Sequence, residues 1–227
     1  WAALAPIKIT RPKLQTNRVV SVEGGPEAAP HDMLRTKVLH QAATNNWKRI
    51  AITSPDTGTG KSVTSANLAF CLARQPDIRT IAFDFDFRRI GLSKALDQHP
   101  DHNMADVLEG RIQFHDHALR YGDRLAFGLN NGPVRHSSEI LQSRKTSEIL
   151  DAIEEEFDPD IMLFDLPPMM ATDDNFGFLK YVDCALIVAG AEKTSLDKID
   201  VAERQVAEIT NVMGIVLNKC RYFDGAY

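Results

Sequence analysis

The sequence predicts a doubly wound α/β domain: a mostly parallel sheet with helices on both faces. Short apolar runs alternate with helical stretches along most of the chain. The runs Ile161-Met162-Leu163-Phe164 and Ala185-Leu186-Ile187-Val188 are apolar at every position, as in strands buried on both faces. One strand-to-helix junction is glycine-rich and ends in Lys61-Ser62. In such sheets ligands sit beyond the carboxyl ends of the strands, so the residues that finish each strand are the candidates for function.

Residues 1–30 are punctuated by proline and glycine from Pro6 to Pro30 and show little periodicity, so they read as an extended arm that a partner would have to order. Met33, Leu34, Val38, Leu39 and Ala42 then recur at helical spacing. Strands are expected at 49–53, 80–85, 124–129, 160–165, 183–189 and 213–218. Helices are expected at 61–74, 104–109, 138–157, 174–181 and 195–210. Residues 31–220 form the domain on this reading, and 221–227 begin a tyrosine-bearing tail. A start at Trp1 suggests a piece of a longer protein.

At 227 residues and 44% hydrophobic content, the chain can bury the core of one domain. Its net charge of −5, with dispersed basic residues, argues against a nucleic-acid partner. No apolar run approaches the roughly 20 residues needed to span a bilayer. Cys71, Cys184 and Cys220 lie far apart with no C-x-x-C pair, which argues against a disulfide framework or a metal site and fits a reducing cytoplasm, with packing roles for Cys71 and Cys184. His99, His102, His115 and His117 read as solvated surface residues, without further ligands near them for a metal.

The junction Ser54-Pro55-Asp56-Thr57-Gly58-Thr59-Gly60-Lys61-Ser62 has the layout of a phosphate loop. Gly58 and Gly60 let backbone N–H groups close on phosphate oxygens, and the helix opening at Lys61-Ser62-Val63 adds its positive dipole end. Lys61 would reach the β- and γ-phosphates of ATP, and the Ser62 hydroxyl would ligate Mg²⁺. The strict G-x-x-x-x-G-K-S pattern wants glycine where Pro55 stands.

Carboxylates finish two other strands. Asp84 and Asp86, two residues apart, are expected on one strand face, where their repulsion calls for a cation. Asp165, before Leu166-Pro167-Pro168, stands where a second Mg²⁺-holding carboxylate belongs. Asn218 ends the last strand and could bond an adenine ring. Arg88 and Arg89 follow the acidic strand and could pair with phosphate or with these carboxylates.

Together these motifs resemble the bacterial tyrosine kinases of capsule and exopolysaccharide export, P-loop proteins with a partition-ATPase-like fold. The resemblance covers about residues 31–218. It rests on the apolar run before Asp84-x-Asp86-x-Arg88, on Asp165-x-x-Pro168, on Leu34-Arg35-Thr36, on Ser138-Glu139-Ile140-Leu141 and on Gly214-Ile215-Val216-Leu217-Asn218. It implies transfer of the ATP γ-phosphoryl group to tail tyrosines, here Tyr222 and Tyr227, leaving ADP. Lys61 would stabilise the transferring charge, Ser62, Asp86 and Asp165 would organise Mg²⁺, and Asp84 would take the phenolic proton. The implied partner is a membrane polysaccharide co-polymerase or its cytoplasmic activator segment, which would place the chain at the inner face of the membrane. The resemblance also implies a homo-oligomer, although the family's E-x-x-R-x-x-R motif falls on Ala29, Asp32 and Arg35 and matches only at Arg35. Two other readings are a non-catalytic ATP-binding scaffold and a partition-type ATPase switch; the latter carries lysine where this chain has Asp56.

Overall fold

The computed structural model describes residues 1–221. Eight strands form one sheet: β1 (Ala5–Pro6), β2 (Arg49–Thr53), β3 (Thr80–Asp84), β4 (Leu119–Tyr121), β5 (Leu125–Gly128), β6 (Ile161–Asp165), β7 (Cys184–Gly190) and β8 (Asn211–Asn218). Their order across the sheet is β1-β4-β5-β3-β6-β2-β7-β8, and every neighbouring pair is parallel except β4 with β5. The helices are α1 (Arg11–Thr16), α2 (Ala29–Asn45), α3 (Lys61–Ala73), α4 (Gly91–Ala95), α5 (Met104–Leu108), α6 (Phe114–His117), α7 (Ser137–Gln142), α8 (Arg144–Phe157), α9 (Asp174–Phe178) and α10 (Leu196–Ala207).

Strict alternation divides the core in two. Ile50 and Ile52, Ala82, Leu163 and Leu186 face the layer of α2 and α3. Ala51, Ile81 and Phe83, Met162 and Phe164, and Ile187 face the layer of α5, α8 and α10. Central strands covered on both sides need apolar residues at every position, which is why they read as unbroken runs. Phe83 stacks on Phe164, their centroids 5.0 Å apart, tying β3 to β6 just below the edge where Asp84 and Asp165 lie.

Several expectations need correcting. Residues 1–30 are not an arm awaiting a partner. Leu4, Ile7, Leu14 and Val19 are buried in the domain's own core, and Asn67 of α3 holds the backbone at Arg18, Val20 and Ser21. The helix expected over 138–157 breaks at Ser143, whose extended backbone and side chain cap α8 at the Thr146 N–H. The segment 174–181 is a short helix followed by a 3₁₀ turn at Leu179–Tyr181. His117 is buried, not solvated: its Nε2 lies 2.9 Å from the Leu129 carbonyl, and burial lowers its pKa. Among the described residues, no helix is long and apolar enough to cross a membrane. On α2, Asp32 pairs in cis with Arg35 and Arg74.

Candidate active site

The strand order decides what meets at the carboxyl edge. β6 lies between β3 and β2, with Asp165 in register with both Asp84 and Ile52. The loop leaving β2 therefore opens beside two aspartates. Gly58 and Gly60 take φ of 72° and 93°, the left-handed region in which a Cβ is costly. The Thr64 N–H donates to the Gly60 carbonyl at 2.9 Å, so α3 begins at Lys61 with its free N–H groups turned toward the loop.

Lys61 is 6% exposed, and its Nζ lies 3.0 Å from Asp165 Oδ1, 3.2 Å from Ser62 Oγ and 3.5 Å from Asp86 Oδ2. Ser65, one turn along α3, donates to the same Asp165 oxygen at 2.9 Å. The other oxygen, Asp165 Oδ2, is buried without a partner. Burial pushes Asp165 above the usual carboxylate range against the opposing charge of Lys61.

Asp84 is fully buried. Its Oδ2 accepts from the Ser93 backbone N–H at 2.9 Å and the Ser93 hydroxyl at 2.8 Å, while its Oδ1 has no partner. The Asn130 N–H donates to Ser93 Oγ, which orients that hydroxyl. Burial, reinforced by the charge of Asp165, raises the Asp84 pKa to about 7. The two-residue rule does not carry Asp84 and Asp86 to one set of partners, because β3 ends at Asp84. Asp86 lies in the following loop, bonding Lys61 with one oxygen and the Arg89 N–H with the other.

The remaining predicted residues fall into place unevenly. Thr57 is half-buried in the loop, Thr59 is buried with an unpartnered hydroxyl, and Val63 in the first turn of α3 packs into the core layer beneath. Asn218 reaches the loop itself: its Nδ2 donates to the Thr59 carbonyl at 2.9 Å, and Lys219 Nζ donates to the Gly58 carbonyl at 2.8 Å. Arg88 turns away from the phosphate loop to pair with Asp174, and Arg89 is exposed. Asp56 pairs with Lys198 of α10 at 2.9 Å. Tyr222 and Tyr227 lie outside the described residues.

Sequence reading missed Gly91 and Ser93. A Cβ on Gly91 would fall 2.2 Å from Ser62 Oγ and 3.5 Å from Asp165 Oδ2, so only glycine leaves this small oxygen-lined space open. The donors fit a hard cation carried on phosphates: one hydroxyl, an unpartnered carboxylate oxygen and a nearby second carboxylate. No cluster of three or more His, Cys, Asp or Glu side chains suited to a metal occurs among the described residues.

A glycine-bent loop running into a helix, with lysine and serine at its start and aspartates on adjoining strands, defines a P-loop nucleotide-binding protein. Residues 50–224 match the CobQ/CobB/MinD/ParA nucleotide binding domain, and the chain belongs to that family. It is 26% identical over 197 residues to the tyrosine-protein kinase ptk of Acinetobacter johnsonii, covering 86% of this chain and 26% of that protein. To the putative tyrosine-protein kinase CapB of Staphylococcus aureus it is 25% identical over 188 residues, covering 82% of this chain and 81% of that protein. The kinase domain of the Escherichia coli tyrosine kinase ETK superimposes with a TM-score of 0.80 at 20% identity, covering 92% of this chain and 84% of that one.

Proposed function

We propose that the chain is the catalytic domain of an ATP-dependent protein-tyrosine kinase serving exopolysaccharide or capsule export. The observation that carries this reading is the meeting of Lys61, Asp86, Asp165 and the unpartnered Asp84 oxygen at one sheet edge, in a chain whose relatives are named tyrosine-protein kinases. Thr57, Gly58, Thr59, Gly60 and Val63 would wrap the phosphates of ATP. Asn218 and Lys219 would steady that loop from outside, leaving Asn218 beside the adenine.

Ser62, Asp86 and Asp165 would hold Mg²⁺, which neutralises charge on the phosphates when bound. Lys61 then leaves Asp165 for the β- and γ-phosphates. The tyrosine oxygen bonds to the γ-phosphorus as its bond to the β-phosphate oxygen breaks, yielding phosphotyrosine and ADP. Asp84 takes the phenolic proton, and a pKa near 7 suits a base working at neutral pH. Because Asp84 is fully buried, its surroundings must open for the acceptor to reach its free oxygen. The acceptors would be Tyr222, Tyr227 or tyrosines further along. The partner would be a membrane polysaccharide co-polymerase or its cytoplasmic activator segment at the inner face of the membrane.

The burial of Asp84 favours a second reading, an ATP-binding scaffold that transfers nothing. Incubation with γ-labelled ATP and Mg²⁺ separates the two. We expect label on tyrosine, reduced at least about 100-fold in Lys61→Met, the loss seen when a donor to transition-state charge is removed. ATP binding without label on any tyrosine, even with the activator segment added, would leave only the scaffold.

A further inference from the structure

Two carboxylate-bearing loops must be held at a fixed spacing if Asp86 and Asp165 are to share one cation. We propose that the dipeptide Asp174-Asn175, at the start of α9, sets that spacing as a positioning element; the inference rests on the Mg²⁺–nucleotide reading of the site.

Asp174 is 0% exposed, and the upward push of burial on its pKa is outweighed by hydrogen bonds from Arg88, Ser138 and Ser137 and by the Arg88 charge, which together hold the carboxyl below its usual range. Arg88 donates through both prongs of its fork, Nε to Oδ2 at 3.0 Å and Nη2 to Oδ1 at 3.1 Å. Ser137 adds a bond to Oδ2 at 3.0 Å, and Ser138 one to Oδ1 at 2.5 Å. A buried carboxylate with a planar bidentate partner is fixed in angle as well as distance. Arg88 lies two residues past Asp86, in the segment that reaches Ile90, whose φ of 49° is a rare conformation for a β-branched residue. Such strain persists only where the surroundings impose it.

The next residue grips the other loop. Asn175, also 0% exposed, donates from Nδ2 to the Pro167 carbonyl at 2.8 Å, two residues past Asp165. Thr53, at the end of β2, donates to the same carbonyl at 2.8 Å. Adjacent side chains on one rigid turn thus hold the Asp86 loop and the Asp165 loop, and Thr53 ties them to the strand feeding the phosphate loop. Groups bonded directly to metal-binding carboxylates are worth about 10- to 100-fold in metal affinity; Asp174 and Asn175 act one bond further out, through Arg88 and the Pro167 carbonyl, so the lower end of that range, about 10-fold, is expected.

The test is a titration of Mg²⁺ into the full chain with ADP, read by calorimetry, for wild type, Asp174→Asn, Arg88→Lys and the double variant. Amide exchange of residues 85–91 and 165–169 is measured in parallel without nucleotide or metal. Asp174→Asn should raise the Mg²⁺ requirement about 10-fold and speed exchange in the Asp86 loop. Arg88→Lys keeps the charge but loses the fork, so it should act alike, and the double variant should be no worse than either single one. Folded variants with unchanged Mg²⁺ affinity, or effects that add in the double variant, overturn the positioning role while leaving the nucleotide site intact. A wild type that binds ADP without any Mg²⁺ linkage overturns the reading of the site and the inference together.

Discussion

Aspartates stand at both ends of the central strands, and the fold treats them in opposite ways. At the amino end, Asp183 turns one oxygen to the N–H groups of Lys48 and Arg49 at 2.7 and 2.8 Å, and Asp160 accepts from the Arg79 N–H at 2.7 Å. Both keep contact with solvent. At the carboxyl end, Asp84 and Asp165 are at most 1% exposed, and each keeps one buried oxygen with no partner. An unpaired buried acceptor costs about 1–3 kcal/mol, a cost that a bound cation would offset on the reading proposed above. The amino-end aspartates close the sheet; the carboxyl-end pair is left with unpartnered oxygens.

The most direct way to break this contrast is to remove one aspartate from each end. Asp165→Asn should weaken Mg²⁺-dependent nucleotide binding by more than the roughly 10- to 100-fold typical of outer-shell changes. Asp183→Ala should leave that affinity untouched and lower stability by about 1–3 kcal/mol, because two backbone N–H groups lose their acceptor. Calorimetric binding and chemical denaturation on both variants would check this; equal losses of binding would show that the two ends do not differ in role.

Gly91 gives a finer probe, since it alters the space between the groups and none of the groups themselves. Gly91→Ala places a methyl against Ser62 Oγ and beside Asp165 Oδ2. The nucleotide should still bind without metal, while the Mg²⁺-dependent gain falls on the order of 10-fold, as small misplacements at a reacting centre do. An unchanged Mg²⁺ titration would mean that the cation lies elsewhere.

The same contrast explains what could be read from the residues. The central strands and the phosphate loop were legible because local pattern fixes them: unbroken apolar runs need cover on both faces, and Gly58, Gly60, Lys61 and Ser62 sit at the one junction that can bend around phosphate. The packing of residues 1–30 was not, because Leu4, Ile7, Leu14 and Val19 are spaced to fit a surface built by distant segments and follow no repeat of their own. Ser143 did carry a signal, since a serine three residues before Thr146 is a helix cap, but the apolar spacing on either side of it hid the break. Asp174-Asn175 looked like an ordinary helix start, and its grip on Arg88 and Pro167 arises only from the neighbouring loops that the strand order brings beside it.

A last comparison tests the state of Asp84 directly. Its folded pKa of about 7 lies above the ordinary carboxyl value of 3.8, so between those values the native chain holds a proton that the unfolded chain has released. Stability then falls as pH rises through that window, and levels off above it, by a few kcal/mol at most on the order of 1.4 per pH unit. Asp84→Asn keeps an oxygen for Ser93 but cannot ionise, so its stability relative to wild type should grow from pH 4 to pH 7 and then stay constant. Thermal melts of the two proteins across this range read the difference, and parallel curves would mean that Asp84 is already ionised in the fold. Adding Mg²⁺ and ADP to the wild type should flatten its slope, because a cation at the adjoining Asp165 favours the ionised form. Asp183→Ala should be flattened by Mg²⁺ and ADP to the same extent as wild type, since the amino end of the sheet takes no part in that charge balance.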